Sequence, residues 1–146
     1  MGSGGTLHCD ACGYSVHYSE GIGMRHALTC ERILNDMKLG KYGEIFQKHS
    51  IELSHPSIHF ECALFHCKKC GNLLSDEILE ICNVDEDSLK NPVAYAHLHT
   101  SVYKKPHICN LCLSEEMEPL NLSDDIVVRC PRCNLPLSKR LTVLWD

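Results

Sequence analysis

At 146 residues, with 44% hydrophobic and 23% charged residues, the chain is long enough for one ordinary domain or two small ones. Its formal net charge of −5 opposes non-specific association with nucleic-acid phosphates. No apolar run approaches the roughly 18 residues of a membrane span and no charged-then-apolar leader marks a secretory signal; a cytoplasmic location is expected, where the 11 cysteines read as metal ligands and not as disulfides.

The start, Met1-Gly2-Ser3-Gly4-Gly5-Thr6, reads as a flexible leader and also fits an N-myristoylation pattern at Gly2. The first Cys-x-x-Cys pair follows at Cys9 and Cys12, with Gly13 placed for a tight turn of positive φ. A helical insertion over about 24–49 comes next. Its first helix, to about residue 38, carries Ala27, Cys30, Leu34 and Met37 as an apolar stripe, and Gly40 marks its stop. A second helix over 41–49 is expected to bury Tyr42, Ile45 and Phe46. From Ile58 the pattern alternates through Phe60, Cys62 and Leu64, a strand leading into the second pair, Cys67 and Cys70. Residues 73–82 continue as strand, with a helical turn from Asp76 as the alternative.

Asp85-Glu86-Asp87 and Asn91-Pro92 mark an acidic linker or loop over 85–92. An alternating segment, 93–103, precedes the third pair, Cys109 and Cys112. A strand over 126–129 feeds the fourth, Cys130 and Cys133, and Leu141, Val143 and Trp145 alternate in a closing strand. The expected fold is α+β: small antiparallel β zinc ribbons with a helical insertion in the N-terminal half. The expected domains are 1–84, a zinc-ribbon-like domain, and 93–146, a C-terminal zinc ribbon.

A tetrahedral zinc site takes four soft ligands, so the four pairs make two complete sites. Cys112 and Cys130 are separated by 17 residues, a spacing typical of one all-cysteine site. That joins the third pair to the fourth and leaves the first to join the second across 54 residues, a closure whose entropic cost grows only logarithmically. The rival for the first pair is a finger completed by His26 and Cys30, which strands Cys67 and Cys70. Cys62 and Cys82 read as small buried hydrophobes.

The motif Cys9-Asp10-Ala11-Cys12-Gly13-Tyr14, with Tyr18, resembles the first knuckle of rubredoxins and implies iron as the alternative to two Zn2+ ions. More widely, Cys9-Asp10-Ala11-Cys12-Gly13, Gly21-Ile22-Gly23-Met24, Gly40-Lys41-Tyr42-Gly43-Glu44 and Cys67-Lys68-Lys69-Cys70-Gly71-Asn72 are similar to small uncharacterised bacterial zinc-ribbon proteins. That resemblance implies a bacterial cytoplasmic origin and pairing of the first two knuckles, and carries no activity.

Four-cysteine sites lack the open position of catalytic zinc. Each adds a net −2, bringing the chain to about −9. The leading expectation is therefore a zinc-stabilised protein-interaction module, an adaptor or regulatory subunit without catalysis. The alternative is nucleic-acid binding through Arg129, Arg132, Lys139 and Arg140 around the last knuckle, although those charges also offset the thiolates. A histidine-based metalloenzyme is third, on His55 and His59 or on His97 and His99, which share a strand face. His59-Phe60-Glu61 matches the His-x-Glu of zinc deaminases but lacks their Pro-Cys-x-x-Cys.

Overall fold

Strand formation begins at the glycines of the N-terminus. In the computed structural model, which describes residues 2–22, 26–90, 99–122 and 126–145, the expected flexible leader is strand β1, Gly2–His8. It pairs antiparallel on one side with β2, Ser15–Gly21, in a register from Gly2↔Gly21 to His8↔Ser15. On its other side lies β7, Ser138–Trp145, from Gly2↔Trp145 to His8↔Ser138, with a shift between Gly4 and Gly5. Glycine is a poor strand former, and Gly5 has a specific reason to be one. A Cβ there would lie 2.5 Å from the Arg140 carbonyl oxygen and 2.8 Å from Tyr18 Oη. Burial between two neighbours thus overrides the low strand propensity.

The remaining elements in chain order are α1 (His26–Lys38), α2 (Glu44–Glu52), β3 (Pro56–Cys67), β4 (Leu73–Val84), α3 (Glu86–Leu89), β5 (His99–Lys104) and β6 (Met117–Leu120). The molecule is mostly antiparallel sheet with a few helices. It packs as two compact units that interleave along the chain. One, here the cysteine unit, comprises Met1–Met24, Glu61–Glu77 and Pro106–Asp146; the other, the helical unit, comprises Arg25–Phe60 and Ile78–Lys105. This organisation differs from a sequential division at 85–92. The expected linker holds the single turn of α3 over 86–89, and residues 91 and 92 lie outside the described residues.

In the cysteine unit the strand order is β4–β3–β2–β1–β7, with β6 also on β3. The β3–β6 register runs from Leu64↔Leu120 to Cys67↔Met117. Leu7, Tyr18, Leu64, Leu73, Leu122 and Val128 form the core, flanked by Tyr14, Val16, Leu120 and Leu137. The closing strand is present as β7, on β1. The strand expected over 126–129 is reduced to one bridge, Arg129↔Pro136.

In the helical unit β4 pairs with β5 from Glu80↔Lys104 to Val84↔His99. Leu79 and Ile81 meet Ile33 and Met37 of α1 and Phe46 of α2 in a second core. Phe46 packs edge-on to Tyr103 at 4.9 Å between centroids, a favoured aromatic geometry. The buried stripe of α1 is therefore Ile33 and Met37 with Leu34 at its margin; Ala27 and Cys30 turn towards a cleft. Of the residues expected to bury on α2, Phe46 does so, while Tyr42 and Ile45 are exposed. Gly40 stops α1 as expected: at φ 80° it allows Gly40 N–H to reach the Met37 carbonyl at 2.9 Å and Lys41 N–H the Asp36 carbonyl at 3.0 Å, the paired bonds of a Schellman cap. The segment 73–82 is strand, without the alternative helical turn.

Candidate metal centres

Each Cys-x-x-Cys pair closes the same backbone turn. The amide of the first cysteine donates to a carbonyl five residues on: Cys9 to Tyr14, Cys67 to Asn72, Cys109 to Ser114 and Cys130 to Leu135, at 2.8–2.9 Å. The residue after the second cysteine donates back to the first cysteine's carbonyl, again at 2.8–2.9 Å. Turning the next carbonyl back to the first cysteine's amide requires positive φ at that residue, and the four positions show it: Gly13 at 73°, Gly71 at 77°, Leu113 at 59° and Asn134 at 62°. Glycine adopts this conformation freely and asparagine tolerates it, but leucine is strained there. Amide N–H groups inside the turns point at sulfur, as from Arg132 N–H to Cys130 Sγ at 3.4 Å.

Two quartets of thiols result, Cys9, Cys12, Cys130 and Cys133, and Cys67, Cys70, Cys109 and Cys112, with all ligand atoms of each within 4.8 Å of one another. All eight expected cysteines fall in these two quartets, but the expected partnership is corrected. The first knuckle joins the fourth and the second joins the third, so one site is nested inside the other along the chain. Strand pairing is the cause. β1–β7 puts His8 opposite Ser138, carrying the outer knuckles together, and β3–β6 puts Cys67 opposite Met117, near the third knuckle. Ligand parity is satisfied equally by either arrangement. The longer nested loops cost only about 1 kcal/mol more in closure entropy, well within what one added strand pairing offsets.

The quartets fit a metal ion. Cys9–Cys133 and Cys12–Cys130 lie 3.4 and 3.5 Å apart, and Cys67–Cys112 and Cys70–Cys109 both 3.6 Å. A tetrahedral ion with metal–sulfur bonds of about 2.3 Å sets the sulfurs ~3.8 Å apart. Without a cation the thiols divide the charge unequally. The Cys112 amide leads in holding Cys109 down to about 6. Burial opposes ionisation of Cys130, yet the Arg132 and Cys133 amides hold it down to about 7. Cys70 is pushed up to about 12, the Asn72 amide being outweighed by burial and its three neighbouring thiols. Cys133 is likewise up to about 12, despite the Leu135 amide, through its neighbouring thiols and burial. A metal ion must displace every thiol proton of its quartet, and those on Cys70 and Cys133 are held most firmly.

The two sites differ in their surroundings. At the inner site Cys67 and Cys109 are buried and Cys70 and Cys112 half-buried. Asn72 Nδ2 donates to Cys109 Sγ at 3.7 Å and to Asn110 Oδ1 at 2.7 Å, tying the two knuckles directly. Lys68 N–H donates to the Glu116 carbonyl at 2.9 Å, and its ammonium pairs with Glu118. His107 contacts Asp76 at 2.9 Å and stacks on Phe65 at 4.0 Å. At the outer site Cys12 and Cys133 are exposed. Its braces are Ser138 Oγ donating to the His8 carbonyl at 3.0 Å, Arg129 donating to the Asn134 carbonyl at 3.0 Å, and the Arg132 guanidinium 5.5 Å above the Tyr14 ring.

The His26/Cys30 finger does not form, since Cys9 and Cys12 are committed elsewhere; the His26 side chain lies outside the described residues. Cys82 is buried as expected and Cys62 half-buried. His55 lies 3.8 Å from Glu86. His59 and His99 line one cleft of the helical unit together with Cys30 and Cys82, while His97 lies outside the described residues. No other group of metal-ligating side chains this close occurs among the described residues. No helix among them is long and apolar enough to cross a membrane. Sequence reading missed Asn72, Asn110 and the His107–Asp76 pair; the nearest signal was Asn72 directly after Cys70-Gly71. Comparisons with protein-family models, curated proteins and solved structures gave no match.

Proposed function

We propose that the chain is a zinc-stabilised interaction module whose third knuckle presents an apolar tip to a protein partner. Zinc suits a closed all-thiolate tetrahedron without redox demands, and a closed site supports a scaffold role over catalysis. The observation that carries the reading is Leu113. It sits at φ 59° and is 75% exposed, beside Leu111 at 70% and Ile108 at 46%. A left-handed leucine costs about 1–2 kcal/mol, and here little packing offsets that strain. Strain kept where glycine serves at the first two knuckles supports a functional role for this position.

The nucleic-acid alternative loses support from the same unit. Arg129 and Arg132 are engaged at the knuckles, and Lys139 Nζ donates to the Leu122 carbonyl at 2.7 Å. Affinity capture from the native host at near-native levels tests the proposal. A reproducible protein partner, lost in both Leu111→Asp and Leu113→Gly proteins that retain their metal, is the expected result. Absence of any such partner, or its full retention by both variants, contradicts it.

A further inference from the structure

We propose that the cleft of the helical unit is a binding site for a small organic cation, a primary amine carrying an apolar body. The cleft is about 780 Å3. That falls within the ~300–1,000 Å3 of small-molecule sites and far exceeds the need of a bare ion. Its histidines and cysteines also fail to converge: no three of their ligand atoms come within 4.8 Å. Volume and separation together select an organic ligand over a metal.

The sign of the lining selects a cation. The charged residues lining the cleft, among those described, are Glu31 and Glu80. The Glu80 side chain is 13% exposed, and its counter-ion Lys104 lies 3.5 Å away on a side chain 67% exposed. A carboxylate so withdrawn from water, with a long and solvated partner, attracts a further ammonium more strongly than a surface carboxylate does. Burial pushes the Cys30 and Cys82 thiols up, so both line the cleft as neutral S–H groups. Leu34 and Ile58 supply apolar wall. Ser57 Oγ lies 3.0 Å from His99 Nδ1, fixing a polar pair at the cleft for hydrogen bonding. An anion would face two carboxylates and find no lysine or arginine among the described lining residues.

The test uses the full, metal-loaded chain with two probes matched in size and opposite in sign, phenethylamine and phenylacetate. Ligand-observed NMR is expected to show the amine binding with a Kd of about 1 mM or tighter, as its few heavy atoms permit, and the carboxylate not binding. Glu80→Gln is expected to weaken the amine about tenfold or more and Glu31→Gln, at an exposed carboxylate, by less, with metal content unchanged. Because the cleft residues are not metal ligands, this outcome is independent of the zinc reading. Equal binding of the two probes, no amine binding at about 10 mM, or amine affinity unmoved by both substitutions overturns the proposal.

Discussion

The inner and outer cysteine quartets share one knuckle geometry, yet the fold uses them differently. The inner pair of knuckles is held by contacts beyond its thiols: the Asn72–Asn110 bond, the Lys68–Glu116 bond and the His107–Asp76 contact. The outer pair depends on strands β1 and β7, which carry residues from the two ends of the chain to each other. One site consolidates a local structure that hydrogen bonds also define. The other is a clasp, with two of its sulfurs exposed. Identical cysteine geometry therefore does not imply identical roles; position in the chain and the surrounding side chains decide what an ion held at each quartet would stabilise.

The largest expected effect comes from removing a ligand. Structural zinc contributes roughly 10–16 kcal/mol of apparent binding energy in small domains, much of it expressed as folding. Cys109→Ser is expected to lose both metals and the protease resistance of the cysteine unit, because Leu64 and Leu73, on either side of the second knuckle, share one core with Leu7 of β1 and with Val128. Cys130→Ser is expected to lose one metal and retain the β3–β6 pairing. Metal analysis with limited proteolysis distinguishes the two, and equal loss in both variants breaks the comparison.

Chelation sharpens the same contrast without mutation. Stepwise removal by a competing chelator is expected to empty the outer site first, since Cys12 and Cys133 are exposed, with an intermediate of one metal per chain. Mass spectrometry under native conditions reads the stoichiometry, and cysteine alkylation locates the freed thiols. Freed Cys67, Cys70, Cys109 and Cys112 at that stage reverse the assignment.

Smaller effects probe the strands and turns. Gly5→Ala puts a Cβ 2.5 Å from a backbone oxygen and is expected to cost about 1–3 kcal/mol by overpacking, measured by denaturant unfolding. A neutral outcome would show that β1 is not tightly clamped. Leu113→Gly is expected to stabilise by about 1 kcal/mol, relieving left-handed strain with little packing to lose. Destabilisation there would mean that Leu113 packs in solution against something in the chain.

Much of the local structure was legible in the sequence. The two-residue spacing identified eight thiols, Gly13 marked a left-handed turn, and Gly40 marked the stop of α1, because each is a local constraint. Partnership between knuckles was not legible. It depends on β1 meeting β7, and a strand reading Gly-Ser-Gly-Gly carries no alternating pattern to announce itself. Its evidence is a close approach to Arg140 and Tyr18, which only three dimensions contain. The short interval between Cys112 and Cys130 favoured the wrong pairing because loop length discriminates weakly between closures. The rotation of the α1 stripe from Ala27 and Cys30 towards Ile33 has the same origin: the helix is amphipathic, but the sheet face it meets determines which residues are covered.

The nested pairing of knuckles is the central claim, and correlation NMR on protein loaded with cadmium-113 tests it most directly, since each ion couples to the β-protons of its own cysteines. One cadmium signal is predicted to correlate with Cys9, Cys12, Cys130 and Cys133, and the other with Cys67, Cys70, Cys109 and Cys112. A cadmium signal shared by Cys109, Cys112, Cys130 and Cys133 would contradict the account.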